Sequence, residues 1–380
     1  MMKAMSKAEI LTEAEIFRWI VVQSEHDTHF EYKSFIAGCE SPEALELWYK
    51  SLFPYPNRAH PWHQRTEWCH GLGYLLASNV TVHENGFFGF GDRIIQSDPF
   101  IVRYHFVIGI DIDSIISRKR ERVDDSVILV FDHGYRNYGH WLVDILPRLL
   151  FLKMVAPDVL TSFKIVLPSD TPDWILKILF ISLGVTHGNV LLLDFKSSSY
   201  EFRQVIVPTV LHRYYLFHPF ISVLYDQLVE KLGENLKTSQ EDIAPYLFLA
   251  NRNPHQGERL LRNRDDILKT AESCGLQICC PEESFSSWEQ EVKQFSRTKL
   301  IVGEYSSSLH NSLLMKNGTG VIALNPLQYL QSYLCAVRQQ RTMYIYPEGS
   351  DGIYKAGAYS IDCSLFKRGL DLALERANNS

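Results

Sequence analysis

Nothing in this 380-residue chain approaches the run of about 18 apolar side chains that a membrane-spanning helix needs. The opening Met-Met-Lys-Ala-Met-Ser-Lys-Ala-Glu-Ile carries charge throughout and lacks the apolar segment of a secretory signal, so the expected location is cytoplasmic, at most peripheral to the inner face of a membrane. The seven cysteines, at 39, 69, 274, 279, 280, 335 and 363, include no Cys-x-x-Cys pair. That argues against a zinc ribbon or a redox dithiol and for reduced, mostly buried thiols. The sequons at Asn79 and Asn317 are then chance matches. Positive charge is also lacking: 38 Lys and Arg against 44 Asp and Glu leave a net charge of −6, with no general attraction to nucleic acid. The one basic run, Ser117-Arg-Lys-Arg-Glu-Arg122, reads as a solvated turn.

What is present is a globular composition, 46% hydrophobic and 22% charged, in a chain long enough for two cores. Apolar runs alternate with helical periodicities from residue 125 onwards. In the first half these are Val127–Phe131, Phe163–Pro168, a helix over 172–183 stopped by Gly184, Asn189–Asp194, Glu201–Val207 and a helix over 219–236. In the second half they are Pro245–Ala250, a helix over 265–274, Leu276–Cys279, a helix over 286–295, Lys299–Gly303, a helix over 307–315 and Gly320–Leu324. Such alternation predicts an α/β protein with parallel sheets. The polar Lys237–Asp242 gives the boundary, so the predicted domains are 1–238 and 239–358, with an amphipathic helix over 359–380 packing across the body. Residues 13–22 and 41–49 read as helices, 52–70 as loop and 72–115 as β-rich.

Three constellations could carry chemistry. Asn137-Tyr-Gly-His-Trp-Leu-Val-Asp-Ile-Leu-Pro-Arg148 follows a buried strand, and a helix there stacks His140 on Asp144 at i and i+4. The pair reads equally as a base with its partner or as a structural contact in a core helix. Gly303-Glu-Tyr-Ser-Ser-Ser-Leu-His-Asn311 places small residues between a strand and a helix, where backbone N–H groups suit an anion, or where a serine merely caps. Asn251-Arg-Asn…Arg259…Arg262-Asn-Arg264 offers guanidinium forks for phosphate, against a bland reading as surface pairing. Glu289 has capping-box spacing from Ser286, or could hold a ribose diol. Asp111-Ile-Asp113 is the tripeptide of a divalent-metal site, but nothing downstream supports it.

In order and spacing these pieces resemble glycosyltransferase family 61, the group of capsular polysaccharide biosynthesis proteins, over about residues 125–326. The marks are Asn137…His140…Asp144…Pro147-Arg148, Leu249-Ala-Asn-Arg252…Arg259…Arg262-Asn263, Pro281-Glu282…Glu289-Gln290 and Ile301-Val-Gly303…Ser308-Leu-His310-Asn311…Gly318. The resemblance implies a GT-B fold, with two Rossmann-like domains facing an interdomain cleft. It also implies an inverting, metal-independent transfer from a nucleotide-sugar to a hydroxyl of a glycan or lipid-linked glycan, with no cofactor. Asp144 is then the first choice as general base, with His140 orienting or replacing it. Arg252, Arg259, Arg262, Asn263, Glu289, Gly303, Tyr305, Ser306, Ser307, Ser308, His310 and Asn311 fall on the donor side, and Asn137 and Arg148 on the acceptor side. Where the family has Gly-x-His-Gly-(Ala/Ser), this chain has Gly303-Glu-Tyr-Ser-Ser, and Tyr305 can donate a hydrogen bond but carries no positive charge. The rival expectation is a non-catalytic, nucleotide-binding or scaffold member of a glycan-assembly complex.

Overall fold

In the computed structural model the described residues are 9–11, 30–36, 39–40, 68–69, 71–91, 93–95, 100, 112–213, 216–234, 244–250, 259–326, 330–350 and 357–378. They divide into two compact units, one holding 9–39 and 68–213, the other holding residue 40 and 216–378. The helices read over 13–22 and 41–49 and residues 101–111 lie outside the described residues, as does the loop read over 52–70 except for Trp68–Cys69, which form a two-residue strand.

The first unit is built on nine strands: β1 (Glu9–Leu11), β2 (Phe30–Ile36), β3 (Leu72–Val82), β4 (Phe88–Phe90), β5 (Arg93–Ile95), β6 (Lys119–Leu129), β7 (Lys164–Pro168), β8 (Val190–Leu193) and β9 (Ser198–Pro208). Their order is β1-β5-β4-β3-β9-β6-β7-β8, with β2 also on β3. Only part of this sheet is parallel, namely β9-β6-β7-β8 and the pair β1-β5. β3 runs antiparallel to β9, β2 and β4, so the wholly parallel sheet expected here is a mixed one. Within the antiparallel part, β3, β4 and β5 follow one another through short glycine-punctuated connections that suit hairpins rather than crossovers. The basic run is a turn only at Ser117 and Arg118, where Arg118 pairs with Glu84 at 2.7 Å; from Lys119, which pairs with Glu121 at 3.0 Å, it is the exposed, charged start of β6.

Helices α1 (Leu146–Val155), α2 (Pro157–Ser162) and α3 (Asp173–Leu183) cover this sheet. Leu146 to Leu152 are all buried, so α1 is enclosed on every side over two turns and is apolar there except for Arg148. Each buried leucine contributes about 1.5–3 kcal/mol. Helix α3 stops where expected, at Gly184 with φ 76°, a left-handed position open to glycine at little cost.

The second unit is a five-stranded sheet of β10 (Tyr246–Leu249), β11 (Gln277–Cys279), β12 (Leu300–Glu304), β13 (Gly320–Leu324) and β14 (Arg341–Ile345). All four pairings are parallel and the order is β11-β10-β12-β13-β14. The chain therefore winds outwards from β10 to one side and from β12 to the other, and the order reverses between those two strands.

Around it lie α4 (Phe220–Glu234), α5 (Arg264–Ser273), α6 (Trp288–Arg297), α7 (Leu330–Val337) and α8 (Cys363–Asn378). The predicted boundary after residue 238 put α4 with the first half, whereas it packs within the second unit, against α6 and the 3₁₀ helix Ser307–Leu314. The buried Arg338 fastens it, bonding Ser222 O at 3.0 Å and pairing with Asp226 at 2.8 Å. Helix α8 likewise stays on the second unit, packed on α5, β12 and β14. Strand β14 and helix α7 had no reading in the sequence.

Candidate active site

The strand β6 leaves its sheet through Val130, Phe131 and Asp132, all buried. Asp132 starts a turn: its carboxylate accepts from Gly134 N at 2.7 Å and its carbonyl from Tyr135 N at 3.1 Å. Asn137 then caps the helix that follows, its Oδ1 accepting from Gly139 N at 2.8 Å and His140 N at 3.4 Å. The indole N–H of Trp141, fully buried, donates to Tyr135 O and locks the turn against the core.

From Trp141 to Ile145 the helix widens into a π turn, closed by Leu146 N on Trp141 O. Pro147 explains this. In an α-helix its nitrogen would have to donate to Val143 O, which proline cannot do, and its ring would press on that carbonyl. Such widened turns often mark functional positions. Here the turn carries Asp144.

Asp144 is only 4% exposed, and both its oxygens are engaged. His140 Nδ1 lies 2.5 Å from Oδ2, and His212 Nε2, from beyond the end of β9, lies 2.5 Å from Oδ1. One carboxylate thus bridges two imidazoles, joining the carboxyl ends of two adjacent parallel strands. Asp132 and His133 close the cluster, with the His133 ring 5.7 Å from that of His140. Arg148 lies beneath it at 3% exposure and ties the same strand ends together, donating to Val130 O at 3.0 Å, to Pro208 O at 3.0 and 2.7 Å, and to Phe100 O at 3.3 Å.

The electrostatics follow from this crowding. Burial would raise the Asp144 carboxyl, but the hydrogen bonds from His140 and His212 win and hold it well below the usual carboxylate range. Burial would lower His140, but the Asp144 hydrogen bond and charge, with Asp132 behind, push it up to about 9. Asp132 rises to about 6 because it is buried and faces the Asp144 charge, against the pull of His140, Gly134 N and Arg148. Burial lowers Arg148 to about 10, although both carboxylates favour its charge. Burial and the nearby His140 lower His133. The arrangement is that of a histidine oriented by a buried acid. With Nδ1 given to Asp144, Nε2 is the nitrogen that can accept a proton from a substrate.

Of the expected residues in the first unit, His140 and Asp144 come together, while Asn137 is a helix cap and Arg148 a buried tie between strands. An acceptor contact for the Arg148 guanidinium does not fit its four carbonyl bonds. Asp132 and His212 were missed. Asp132 directly follows an apolar strand, which was a usable signal; His212 had none.

In the second unit Gly303, Tyr305 and Ser306 to Ser308 lie at the carboxyl end of β12, beside β10, where the strand order reverses and open α/β sheets bind ligands. Leu249 and Gly303 are paired across these strands, and a β-carbon at Gly303 would lie 2.8 Å from Leu249 O, so this glycine permits a close backbone approach. Tyr305 is 7% exposed, and its N–H bonds Leu324 O at 3.0 Å. Ser306, Ser307 and Ser308 are half-buried at the start of the expected helix, which is of the 3₁₀ type, with Ser306 Oγ 2.6 Å from Ser308 Oγ.

His310 is buried in that helix. Asn311, fully buried, donates to Glu291 at 3.0 Å and so serves packing. Asn263 clamps Ile361 through both ends of its amide, at 2.7 and 3.1 Å, a structural role in place of the expected donor contact. Ser287 and Gln290, not Ser286 and Glu289, form the cap of α6, leaving Glu289 half-exposed. Arg262 is exposed. Arg252, the side chain of Arg259, Asp111 and the side chain of Asp113 lie outside the described residues. Among the described residues no group of three His, Cys, Asp or Glu is placed to hold a metal ion, and no helix is long and apolar enough to cross a membrane.

Residues 138–322, just under half of the chain, match the family model described as glycosyltransferase 61. The match spans His140, Asp144, His212 and the ends of β10 and β12. No curated protein matches the sequence.

Proposed function

We propose, from the match of residues 138–322 to the glycosyltransferase 61 family model, that the protein is an inverting glycosyltransferase of the GT-B type. It moves a sugar from a nucleotide-sugar to a hydroxyl of a glycan or lipid-linked glycan by a single displacement without a metal, in the assembly of a surface or capsular polysaccharide. The observation that carries the reading is the bond from His140 Nδ1 to the buried Asp144 at the strand ends.

Of the two expected roles for His140, orienting Asp144 or replacing it as base, we favour the second. Asp144 is buried, doubly bonded and held as a weak base, so it orients the imidazole; His140, with a side chain 29% exposed, is the general base that takes the acceptor proton. In the second unit the ends of β10 and β12 take the nucleotide, with Ser306 to Ser308 and the helix beginning there facing the diphosphate. Gly303 lets those strand ends approach.

A panel of nucleotide-sugars, with glycan acceptors and EDTA present, tests this by transfer and by the anomeric configuration of the product. His140→Ala is expected to lose about 10²- to 10⁴-fold in kcat. Full turnover in that variant, or retention of configuration, would sink the reading. Tyr305, standing where the resembled pattern has histidine, supports one alternative: a nucleotide-binding member of a glycan-assembly complex without turnover. Calorimetric binding of a nucleotide-sugar with neither transfer nor hydrolysis would favour it.

A further inference from the structure

His212 lies four residues beyond the end of β9, in a segment that the structure pins on both sides. Thr209 N and Oγ1 donate to Gly73 O at 3.0 and 3.1 Å, and Gly73 N returns a bond to Thr209 Oγ1 at 3.0 Å. Arg148 holds Pro208 O to the same guanidinium that holds Val130 O, which fixes the end of β9 against the end of β6. His212 itself is buried, with a side chain 5% exposed. Its Nε2 meets Asp144 Oδ1, on the carboxylate oxygen opposite to the one that meets His140.

We infer that His212 is a positioning residue for the reaction: by donating to Asp144 Oδ1 it fixes the carboxylate plane and draws off part of its charge, which sets how readily His140 gives and takes a proton. This rests on the reading of His140 as the base. The physical chain is short. A carboxylate with one donor can rotate; with donors on both oxygens it cannot. Its Oδ2 then faces Nδ1 of His140 and selects the tautomer that leaves Nε2 for the acceptor hydroxyl.

A buried carboxylate stripped of one donor is less well solvated and holds the remaining imidazolium harder. His140 would then stay protonated to higher pH and be a poorer base near neutrality. Three other ionisable groups act on the cluster: Asp132, which favours the charged His140; His133, which opposes it; and Arg148, which offsets the two carboxylates. None of them is altered in the test.

The test uses the full chain with ¹⁵N-labelled histidine, in the natural form and as His212→Gln and His212→Phe. Glutamine places an amide N–H donor where Nε2 was, and phenylalanine keeps the volume without a donor. In His212→Phe the His140 midpoint is expected to rise by about one pH unit. On the low-pH side that lowers kcat/KM about tenfold, while the high-pH plateau stays within about threefold. His212→Gln is expected to keep the midpoint within about 0.3 unit.

An unmoved midpoint in His212→Phe, or a glutamine variant displaced as far as phenylalanine, would overturn the inference and leave His212 a packing residue. Should His212→Phe fail to fold, His212→Asn, whose amide is too short to reach Oδ1, takes its place with the same two outcomes. If no donor gives turnover in the natural form, the base reading fails on that result. The NMR midpoint still decides whether His212 acts on His140.

Discussion

Gly134 lies directly against the ring of His140. A β-carbon at residue 134 would stand 2.5 Å from His140 Cγ, 2.6 Å from Cδ2 and 2.9 Å from Nδ1. The turn that starts at Asp132 therefore passes the imidazole with no room for a side chain. The constraint is steric contact with the one ring that the site must place. Gly134→Ala is expected to push His140 away from Asp144 and lower kcat by about 100-fold, since a displacement of an ångström at a positioned group has this scale of effect. Overpacking adds a stability cost of about 1–3 kcal/mol. A urea titration beside the turnover measurement separates the two, and an alanine variant with unchanged kcat would show that the ring is not where the chemistry needs it.

The pair His140–Asp144 also makes a prediction about stability and pH. His140 is raised from 6.5 to about 9, so its contribution is complete below 6.5 and is lost as pH rises through about 9. Asp144 is lowered from 3.8, so its contribution is present above that value and is lost as pH falls through its folded-state value. Both contributions are in force between about pH 4 and 6.5. Asp144→Asn cannot hold the imidazolium, and the alkaline decline in melting temperature between pH 6.5 and 9 is expected to flatten. Thermal melts across pH 4 to 10 for the two proteins would show it. Parallel curves would mean that the pair is not formed in solution.

Asp132 carries the sign opposite to that of Asp144. Its carboxyl is raised from 3.8 to about 6 by burial and by the Asp144 charge, so folding favours the protonated form, and that contribution is lost as pH rises through 6. Asp132→Asn keeps an oxygen for Gly134 N and removes the repulsion. The expected result is a higher melting temperature above pH 6 and a lower midpoint for His140, which loses one of the charges that favour its protonated form. A fall in both quantities would show that Asp132 has a different partner in solution.

The legible and illegible parts of the fold differ for physical reasons. The order β10 to β13 and the helix stops at Gly184 and Gly275 could be read because parallel strands buried on both faces are continuous apolar runs and a left-handed stop favours glycine. The antiparallel half of the first sheet could be located but not its pairing, since register between strands is set by contacts distant in sequence.

His140 and Asp144 were legible because they stand at i and i+4 in one helix. His212 was not, because it stands sixty-eight positions after Asp144, and only the packing of β9 on β6 brings it there. Arg148 misled for a related reason. An arginine beside a site suggests a ligand, while its bonds run to carbonyls at residues 100, 130 and 208.

That burial makes Arg148 a sensitive position. Its five-donor head satisfies carbonyls at two strand ends and offsets two buried carboxylates, so Arg148→Met leaves those acceptors unmet and the carboxylates uncompensated. The loss in unfolding free energy is expected to be about 3–5 kcal/mol. Arg148→Lys, with a single ammonium, should recover only part of it. Urea denaturation decides the matter: a methionine variant within about 1 kcal/mol of the natural form would mean that water replaces the guanidinium and that the strand ends do not depend on it.

In the second unit the corresponding position is Gly303. Its β-carbon would meet Leu249 O at 2.8 Å and Leu249 Cβ at 3.2 Å, and the first of these is backbone that cannot swing aside. Gly303→Ala must therefore separate the ends of β10 and β12 at the point where the strand order reverses, which is where the nucleotide is proposed to sit. Calorimetry with a nucleoside diphosphate is expected to show Kd raised at least about tenfold, a loss of about 1.4 kcal/mol. The His140 midpoint, a property of the other unit, should stay unchanged. If the alanine variant melts earlier but binds the diphosphate as tightly, the close approach of these strands serves packing alone, and the nucleotide must be sought away from the β10–β12 crevice.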